Sequence, residues 1–433
     1  MDSHETLRIN GLSGKKTLEG ILPVGGSKNA ALPILAASLL TTGEVNIENM
    51  PNILDIRRMH TLLEHVGATA EFKENISTLS IPEDIGSEIE REIGEHMRAS
   101  IILTAPLLAR TGEVQFPHPG GCVIGKRPID LFLSGFQKLG AEVKETDEGY
   151  HISAPNGLTG TTFFFPIQSH TATETLMMAA TLADGTTVLE NASTEPEIVD
   201  VANFLNKAGA SIEGAGTHTI VIRGTGGEPL ASPGTYSVIP DRLEAGSFFI
   251  IAALSGRNIE ITNCNPGHLT ALLDTMKKAG VAYEAGDDVI SISGNTQPNE
   301  IFKAVSIKTH EYPGFPTDLQ APFAVFLTQA TGKATIFETI FEGRLAYAES
   351  LSAMGADINV RDSHYAHISG PQELSGTTLK SPDIRAGLAY ITAALVVEGE
   401  SIISNLFYID RGYESIEKKL QSVGANVERI TDE

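Results

Sequence analysis

Tryptophan is absent from this chain of 433 residues, and cysteine occurs only twice, at Cys122 and Cys264. Two cysteines in unlike contexts suggest no disulfide framework and make a reducing cytoplasm the simplest home. Positive charge is also scarce: 31 Lys and Arg face 54 Asp and Glu, for a net charge of −23. That balance argues against nucleic acid or an anionic membrane as a partner, because phosphate surfaces require basic ones. It leaves a small anionic substrate open, since a few cations in a cleft dominate their local field. No apolar run reaches the roughly eighteen residues that a membrane span needs. The segment Met1-Asp2-Ser3-His4-Glu5 is polar and acidic and is not followed by an apolar leader pattern, so no secretory signal is expected.

What the chain does have is length, apolar content and repetition. Its 433 residues, 41% hydrophobic, exceed one core of ordinary size and predict two domains. Six stops of the form Gly-Ala or Gly-Val recur at Gly67, Gly140, Gly209, Gly280, Gly355 and Gly424, spaced 73, 69, 71, 75 and 69 residues apart. A glycine just past an apolar turn predicts a left-handed helix cap. Each repeat opens with a helix rich in small apolar residues: Ala30 to Leu40, Ala99 to Leu108, Ala172 to Leu182, Ala245 to Leu254, Ala321 to Leu327 and Ala386 to Val396. A short strand follows, then an amphipathic helix such as Ile198 to Ala208, then one or two strands. A helix that is apolar on most sides predicts burial, and one with a single apolar stripe predicts a cover over a sheet. Six units suit two groups of three, with the Gly- and Pro-rich stretch Gly224 to Gly234 marking the boundary.

Polar groups stand at the start of each small-residue helix: Lys28-Asn29, Arg98, Ser169-His170-Thr171, Arg242, Asp318 and Arg385. A second set precedes the amphipathic helices: Asp55 and Arg57, Arg127, Glu195 and Glu197, His268, Arg344 and Arg411. A single such arginine ordinarily caps a helix, pairs with a carboxylate or lies in solvent. Repetition alters that reading, because capping favours Ser, Thr or Asp, and cations at positive helix ends repel unless an anion joins them. The set therefore points to an anion site. Cys122 sits in His118-Pro119-Gly120-Gly121-Cys122-Val123-Ile124-Gly125-Lys126-Arg127, where free backbone and two cations favour the reactive thiolate. Cys264 has no neighbouring cation and reads as a packing residue, and His118 stays open. Gly25-Gly26-Ser27-Lys28 lacks the spacing of a nucleotide-hydrolysing phosphate loop, and no His or Cys spacing supports a metal.

Nine motifs, in order along nearly the whole chain, carry a resemblance. They are Gly26 to Pro33, Met97 to Ser100, Pro119 to Asp130, Glu195 to Asp200, Pro240 to Arg242, Phe315 to Asp318, Phe341 to Arg344, Asp383 to Ala386 and Asp410 to Glu414. In these the chain resembles the UDP-N-acetylglucosamine 1-carboxyvinyltransferase (enolpyruvyl transferase) family, related to 5-enolpyruvylshikimate-3-phosphate synthase. The resemblance implies an α/β repeat fold of two inside-out α/β barrel domains, each of three βαβ-type units, with the active site in the interdomain cleft. Its domains are expected at 22–238, carrying the cysteine loop, and at 1–21 with 239–433, through an N-terminal strand that returns to the second domain.

The implied reaction moves the enolpyruvyl group of phosphoenolpyruvate to the 3-hydroxyl of UDP-N-acetylglucosamine and releases phosphate, the first committed step of peptidoglycan precursor synthesis. By motif, the catalytic residues are Cys122, Asp318, Lys28, Arg411 and Asp383. Phosphoenolpyruvate falls to Lys28, Arg98, Arg127, Arg385 and Arg411. UDP-N-acetylglucosamine falls to Asn29, Arg98, Arg127, Pro128, Ile129, Asp130, Leu131, Ser169, His170, Thr171, Asp318, Ile340 and Arg344. Cys122 is the implied proton donor to C3 and the target of fosfomycin; Asp318 is the implied base. No cofactor or metal is implied, the partners are the two small-molecule substrates, and the oligomeric state is left open.

Three departures fall on the acceptor side: Ser169-His170-Thr171 where the family has Ser-Val-Gly, Phe341-Glu342-Gly343-Arg344-Leu345 where it has Asn then Arg-Phe, and Tyr312-Pro313 where it has His-Pro. They keep a second reading in view, an enolpyruvyl transferase acting on UMP or another nucleotide in secondary metabolism. A third reading, a non-catalytic repeat protein binding an anionic metabolite, is disfavoured by the presence of the cysteine and of all the cations.

Overall fold

The computed structural model describes residues 5–118, 128–293 and 302–431. Within these residues, six repeats build six small sheets, three in each of two compact units. Among described residues, one unit comprises 5–25 and 240–431, and the other 26–118 and 128–239. The chain thus passes from one unit to the other at Gly25–Gly26 and at Ile239–Pro240. The Gly- and Pro-rich stretch expected to mark a boundary lies inside the second of these units. There the Leu230 N–H reaches the Leu40 carbonyl at 2.8 Å, and Gly234–Ser237 pairs with Gly43–Glu48. Composition alone signals a loop, and only strand pairing shows which side of the division it belongs to.

Five of the sheets share one plan. A parallel edge strand lies beside a central strand, and two antiparallel strands continue the sheet, a hairpin in every case but the sixth repeat; in the third repeat the order is Thr162–Phe164, Thr186–Glu190, Thr219–Arg223 and Ser211–Glu213. The second repeat, built on Glu113–Pro117, replaces the edge strand by a single parallel bridge, Glu88 to Gln115. Three strands are borrowed from elsewhere in sequence. Gly234–Ser237 edges the first repeat's sheet, Leu18–Pro23 edges the fourth's, and Glu5–Asn10 enters the sixth's between Glu400–Ser404 and Asn426–Thr431.

The small-residue helices are Lys28–Ser38, Thr104–Thr111 after the 3-10 turn Arg98–Leu103, His170–Thr181, Arg242–Ser255, Gln320–Gln329 and Ile384–Val396. They are buried nearly all round; in Arg242–Ser255 every residue after Arg242 is buried. Paired alanines, Ala36-Ala37, Ala179-Ala180, Ala252-Ala253 and Ala393-Ala394, are among the most deeply enclosed residues. The covering helices bury one stripe, as Thr270–Lys278 does with Leu272, Leu273 and Met276. All six glycine stops have positive φ, between 94° and 109°. In each, the glycine N–H and the next N–H bond back to the last helical turn; Gly280 reaches Lys277 and Val281 reaches Met276, both at 3.0 Å. This pair of hydrogen bonds closes carbonyls that a helix end leaves open.

A second repeated device joins each edge strand to its neighbour. Asn49, Asn191, Asn263 and Asn405 follow the central strands of four repeats, all with φ between 53° and 62°. Each side-chain amide donates to a carbonyl just beyond the parallel edge strand: Val238 at 2.9 Å, Phe165 at 2.8 Å, Val24 at 2.7 Å and Ser381 at 3.1 Å. In the fifth repeat the Thr339 hydroxyl takes the part, donating to the Thr309 carbonyl at 2.6 Å. These latches fix the edge strands and the turns after the central strands.

Candidate functional site

The small-residue helices begin about two residues earlier than the apolar pattern suggests, so the polar groups lie inside the first turn rather than ahead of it. Lys28, His170 and Arg242 are the first residues of their helices, and Arg98 opens its 3-10 turn. The capping residues precede them. Ser169 accepts from the Ala172 N–H, Asp241 from Leu243 and Glu244, and Asp383 from Arg385 and Ala386. At these three helix starts capping is already met, so the cations Arg242 and Arg385 are not explained by it, whereas Ser27 and Met97, ahead of Lys28 and Arg98, make no side-chain cap.

In the unit holding residues 26–239, Lys28 pairs with Asp55 at 2.6 Å, and Asp55 is almost fully enclosed. Asn29 follows Lys28 in the same turn. Ile129 caps the helix Asp130–Lys138, so Pro128, Ile129, Asp130 and Leu131 form one helix start. Ser169, His170 and Thr171 form another. His170 Nδ1 lies 3.7 Å from Glu174 Oε2, beyond hydrogen-bond distance, and neither that oxygen nor His170 Nε2 has a hydrogen-bond partner among the described residues. Burial, and then Glu197 and Glu195, push the Glu174 carboxyl well above the ordinary range. Cys122, Lys126 and Arg127 lie outside the described residues.

In the other unit the structure draws three expected residues together. Asp318 Oδ1 accepts from Arg344 Nη2 at 2.8 Å and from Arg385 Nε at 3.0 Å. Both guanidiniums are more than nine-tenths buried. Burial would raise the Asp318 pKa, but Arg385 and Arg344, helped by Arg242, hold it well below the ordinary carboxylate range. Burial pulls Arg385 down, but Tyr413, Asp318 and Asp241 more than restore it. Arg385 Nη1 also donates to the fully buried Tyr413 hydroxyl at 2.8 Å. Arg344 stands over the Phe341 ring at 5.2 Å, and Arg242 over Tyr312 at 5.4 Å. Arg411 caps the short helix Leu406–Asp410, whose last residue is gripped by Arg429 through two bonds of 2.9 and 2.7 Å. Arg429 reaches Glu5 and Glu417 as well, tying this turn to the N-terminal strand.

Glu338, Tyr413 and Arg429 were not among the residues that the sequence put forward. Glu338 is fully buried and binds the Ile340 N–H at 2.7 Å, which sets the turn between Ile340 and Arg344. Only one signal hinted at any of them: Tyr413 belongs to the Asp410-Arg411-Gly412-Tyr413-Glu414 motif. Cys264 is buried as expected, its thiol pushed up to about 11 by burial and by Asp288. Among the described residues no group of three or more His, Cys, Asp or Glu is placed to hold a metal, and no helix is long and apolar enough to cross a membrane.

Comparison with known proteins gives a consistent result. The family model described as EPSP synthase (3-phosphoshikimate 1-carboxyvinyltransferase) matches residues 12–420. Curated proteins named UDP-N-acetylglucosamine 1-carboxyvinyltransferase are 41% identical in Solibacter usitatus and 42% in Desulfosudis oleivorans, each over 97% of this chain and 99% of the relative. A protein of Carboxydothermus hydrogenoformans, named UDP-N-acetylglucosamine 1-carboxyvinyltransferase 2, is 43% identical over the same shares. Among solved structures, the enolpyruvyl transferase NikO from Streptomyces tendae superposes with a TM-score of 0.88 over 100% of both chains at 24% identity. EPSP synthase from Acinetobacter baumannii superposes with a TM-score of 0.75 over 98% of this chain and 99% of that one at 17% identity. At those identities the structural likeness speaks for the fold, the two-domain inside-out α/β arrangement. By the span of the family model and by relatives matched along nearly their whole length, the chain belongs to the UDP-N-acetylglucosamine 1-carboxyvinyltransferase family of enolpyruvyl transferases.

Proposed function

We propose that this chain transfers the enolpyruvyl group of phosphoenolpyruvate to the 3-hydroxyl of UDP-N-acetylglucosamine, releasing phosphate, as the first committed step of peptidoglycan precursor synthesis in a bacterial cytoplasm. The observation that carries the reading is the 41–43% identity, over 97% of the chain, to proteins named for that activity. The reaction sets three tasks: hold a trianionic donor, remove a proton from the acceptor hydroxyl, and deliver one to C3 of the enol. Lys28, Arg98, Arg127, Arg385 and Arg411 neutralise the donor's phosphate and carboxylate. Cys122 gives its proton to C3 while the acceptor oxygen bonds to C2. C3 then returns a proton as the bond from C2 to the phosphate oxygen breaks, and phosphate leaves with that electron pair. Asp318, kept ionised by Arg385 and Arg344, accepts the hydrogen bond of the acceptor hydroxyl and takes its proton as the new bond forms. Asp383 has one oxygen committed to its helix cap, which leaves the other for proton transfer. Asn29, Pro128 to Leu131, Ser169 to Thr171, Ile340 and Arg344 hold the nucleotide sugar.

Phosphate release with phosphoenolpyruvate and UDP-N-acetylglucosamine tests this directly. Release with UMP and none with the nucleotide sugar would overturn the acceptor while keeping the reaction type. Cys122→Ser should abolish release, and fosfomycin should raise the intact mass of the wild-type chain by one adduct. An unshifted mass would count against Cys122 as the proton donor.

A further inference from the structure

We propose that Glu338 is a positioning residue for the acceptor, acting through Thr317 and Arg344; the proposal rests on the function proposed above. Glu338 follows the central strand Gly332–Phe337 and is fully buried. Its backbone is held on both sides by His364, whose carbonyl accepts the Glu338 N–H at 2.8 Å and whose Nδ1 meets the Glu338 carbonyl at 2.8 Å. Its carboxylate collects four donors. Oε1 takes the Ile340 and Phe341 N–H groups at 2.7 and 3.1 Å, and Oε2 takes the Thr317 hydroxyl and the Gln320 amide, both at 2.9 Å.

These bonds close a circuit around Asp318. A carboxylate only accepts, so Thr317 must spend its single O–H on Glu338. That leaves the Thr317 oxygen to accept from Arg344 Nε, which it does at 3.2 Å. The other end of the same guanidinium, Nη2, then points at Asp318 Oδ1. Meanwhile the Phe341 N–H bond fixes the turn that lays the Phe341 ring beside Arg344. Glu338 thus dictates the direction of the relay and the aim of Arg344, and touches neither substrate. An amide in its place has the same size, yet it must turn a donor toward Thr317 or toward two backbone N–H groups.

The experiment compares wild type, Glu338→Gln and Thr317→Val by steady-state kinetics with phosphoenolpyruvate and UDP-N-acetylglucosamine, alongside thermal melting. For E338Q the expected result is a tenfold or larger rise in KM for the nucleotide sugar, with KM for phosphoenolpyruvate within twofold of wild type. T317V, which breaks only the relay, shifts the same KM in the same direction, and the double variant loses less than the product of the two. A merely structural role would instead lower melting temperature and active fraction while leaving both KM values in place, and that outcome overturns the proposal. So does T317V behaving as wild type. Should the wild-type chain use UMP and not the nucleotide sugar, the acceptor reading fails by itself, and the same comparison is judged on KM for UMP.

Discussion

At the scale of single residues, two kinds of glycine do different work. Gly280 has φ 94° with open space around it, so alanine there meets only backbone strain. Gly280→Ala is expected to cost about 1–2 kcal/mol. A Cβ on Gly26 would collide with the Asn49 carbonyl oxygen, a backbone atom that cannot turn away. Gly26→Ala should therefore cost more than Gly280→Ala and also raise KM for phosphoenolpyruvate, since Lys28 is two residues on. Urea denaturation of both variants orders the two costs, and equal values would contradict the distinction. Asp383 separates two roles in the same manner. Asn caps a helix nearly as well as Asp, whereas Ala costs about 1 kcal/mol. Asp383→Asn should melt close to wild type while turnover falls at least tenfold; unchanged turnover would confine Asp383 to its cap.

At the scale of elements, the asparagine latches make a prediction that local propensity does not. Asn263→Gly keeps the left-handed backbone and loses only the bond to Val24, for about 1 kcal/mol. Asn263→Ala loses the bond and adds strain at φ 53°, for about 2–3 kcal/mol. Chemical denaturation of the two variants checks the order. The latches also show where sequence reading stops. The glycine stops were legible because both requirement and signal lie within one turn. Asn49 and Asn263 bond to carbonyls 189 and 239 residues away, and nothing beside them announces the partner. The small-residue helices start about two residues ahead of their apolar pattern for a similar reason. Lys28-Asn29 and Arg242 look like loop until Asp241 and Ser169 are seen as the caps just before such groups. Asp318, Arg344 and Arg385 were found by motif, whereas Glu338 resembles any surface glutamate after a strand; its burial depends on Thr317, Gln320 and the turn at Ile340.

For the whole molecule, two buried groups in the unit spanning 26–239 bend the pH dependence of stability in opposite directions. Burial pushes the Asp200 carboxyl up to about 6, against bonds from Tyr236 and Ile239 that lower it. Between about pH 4 and 6 the folded chain keeps a proton that the unfolded chain releases, so stability falls as pH rises. Burial pulls His60 down to about 4, and between about pH 4 and 6.5 the unfolded chain holds the extra proton, so stability rises with pH. Each slope amounts to about 3 kcal/mol across its window. Relative to wild type, Asp200→Asn should gain stability from pH 4 to 6.5 and His60→Gln should gain it in reverse. Parallel stability curves for all three proteins would refute both assignments.

The strand Glu5–Asn10 closes the sixth sheet, with Leu7 and Ile9 fully enclosed. Ile9→Ala is expected to cost about 2–5 kcal/mol in equilibrium unfolding. Its partners Glu400–Ser404 and Asn426–Thr431 stand at the far end of the sequence. At a synthesis rate of roughly 5–20 residues per second, this segment emerges from the ribosome tens of seconds before its neighbours are made. The unit spanning 26–239 is complete well before then. A nascent chain therefore carries a finished half together with an unpaired strand, Glu5–Asn10, whose Leu7 and Ile9 stay uncovered until the last repeat is made.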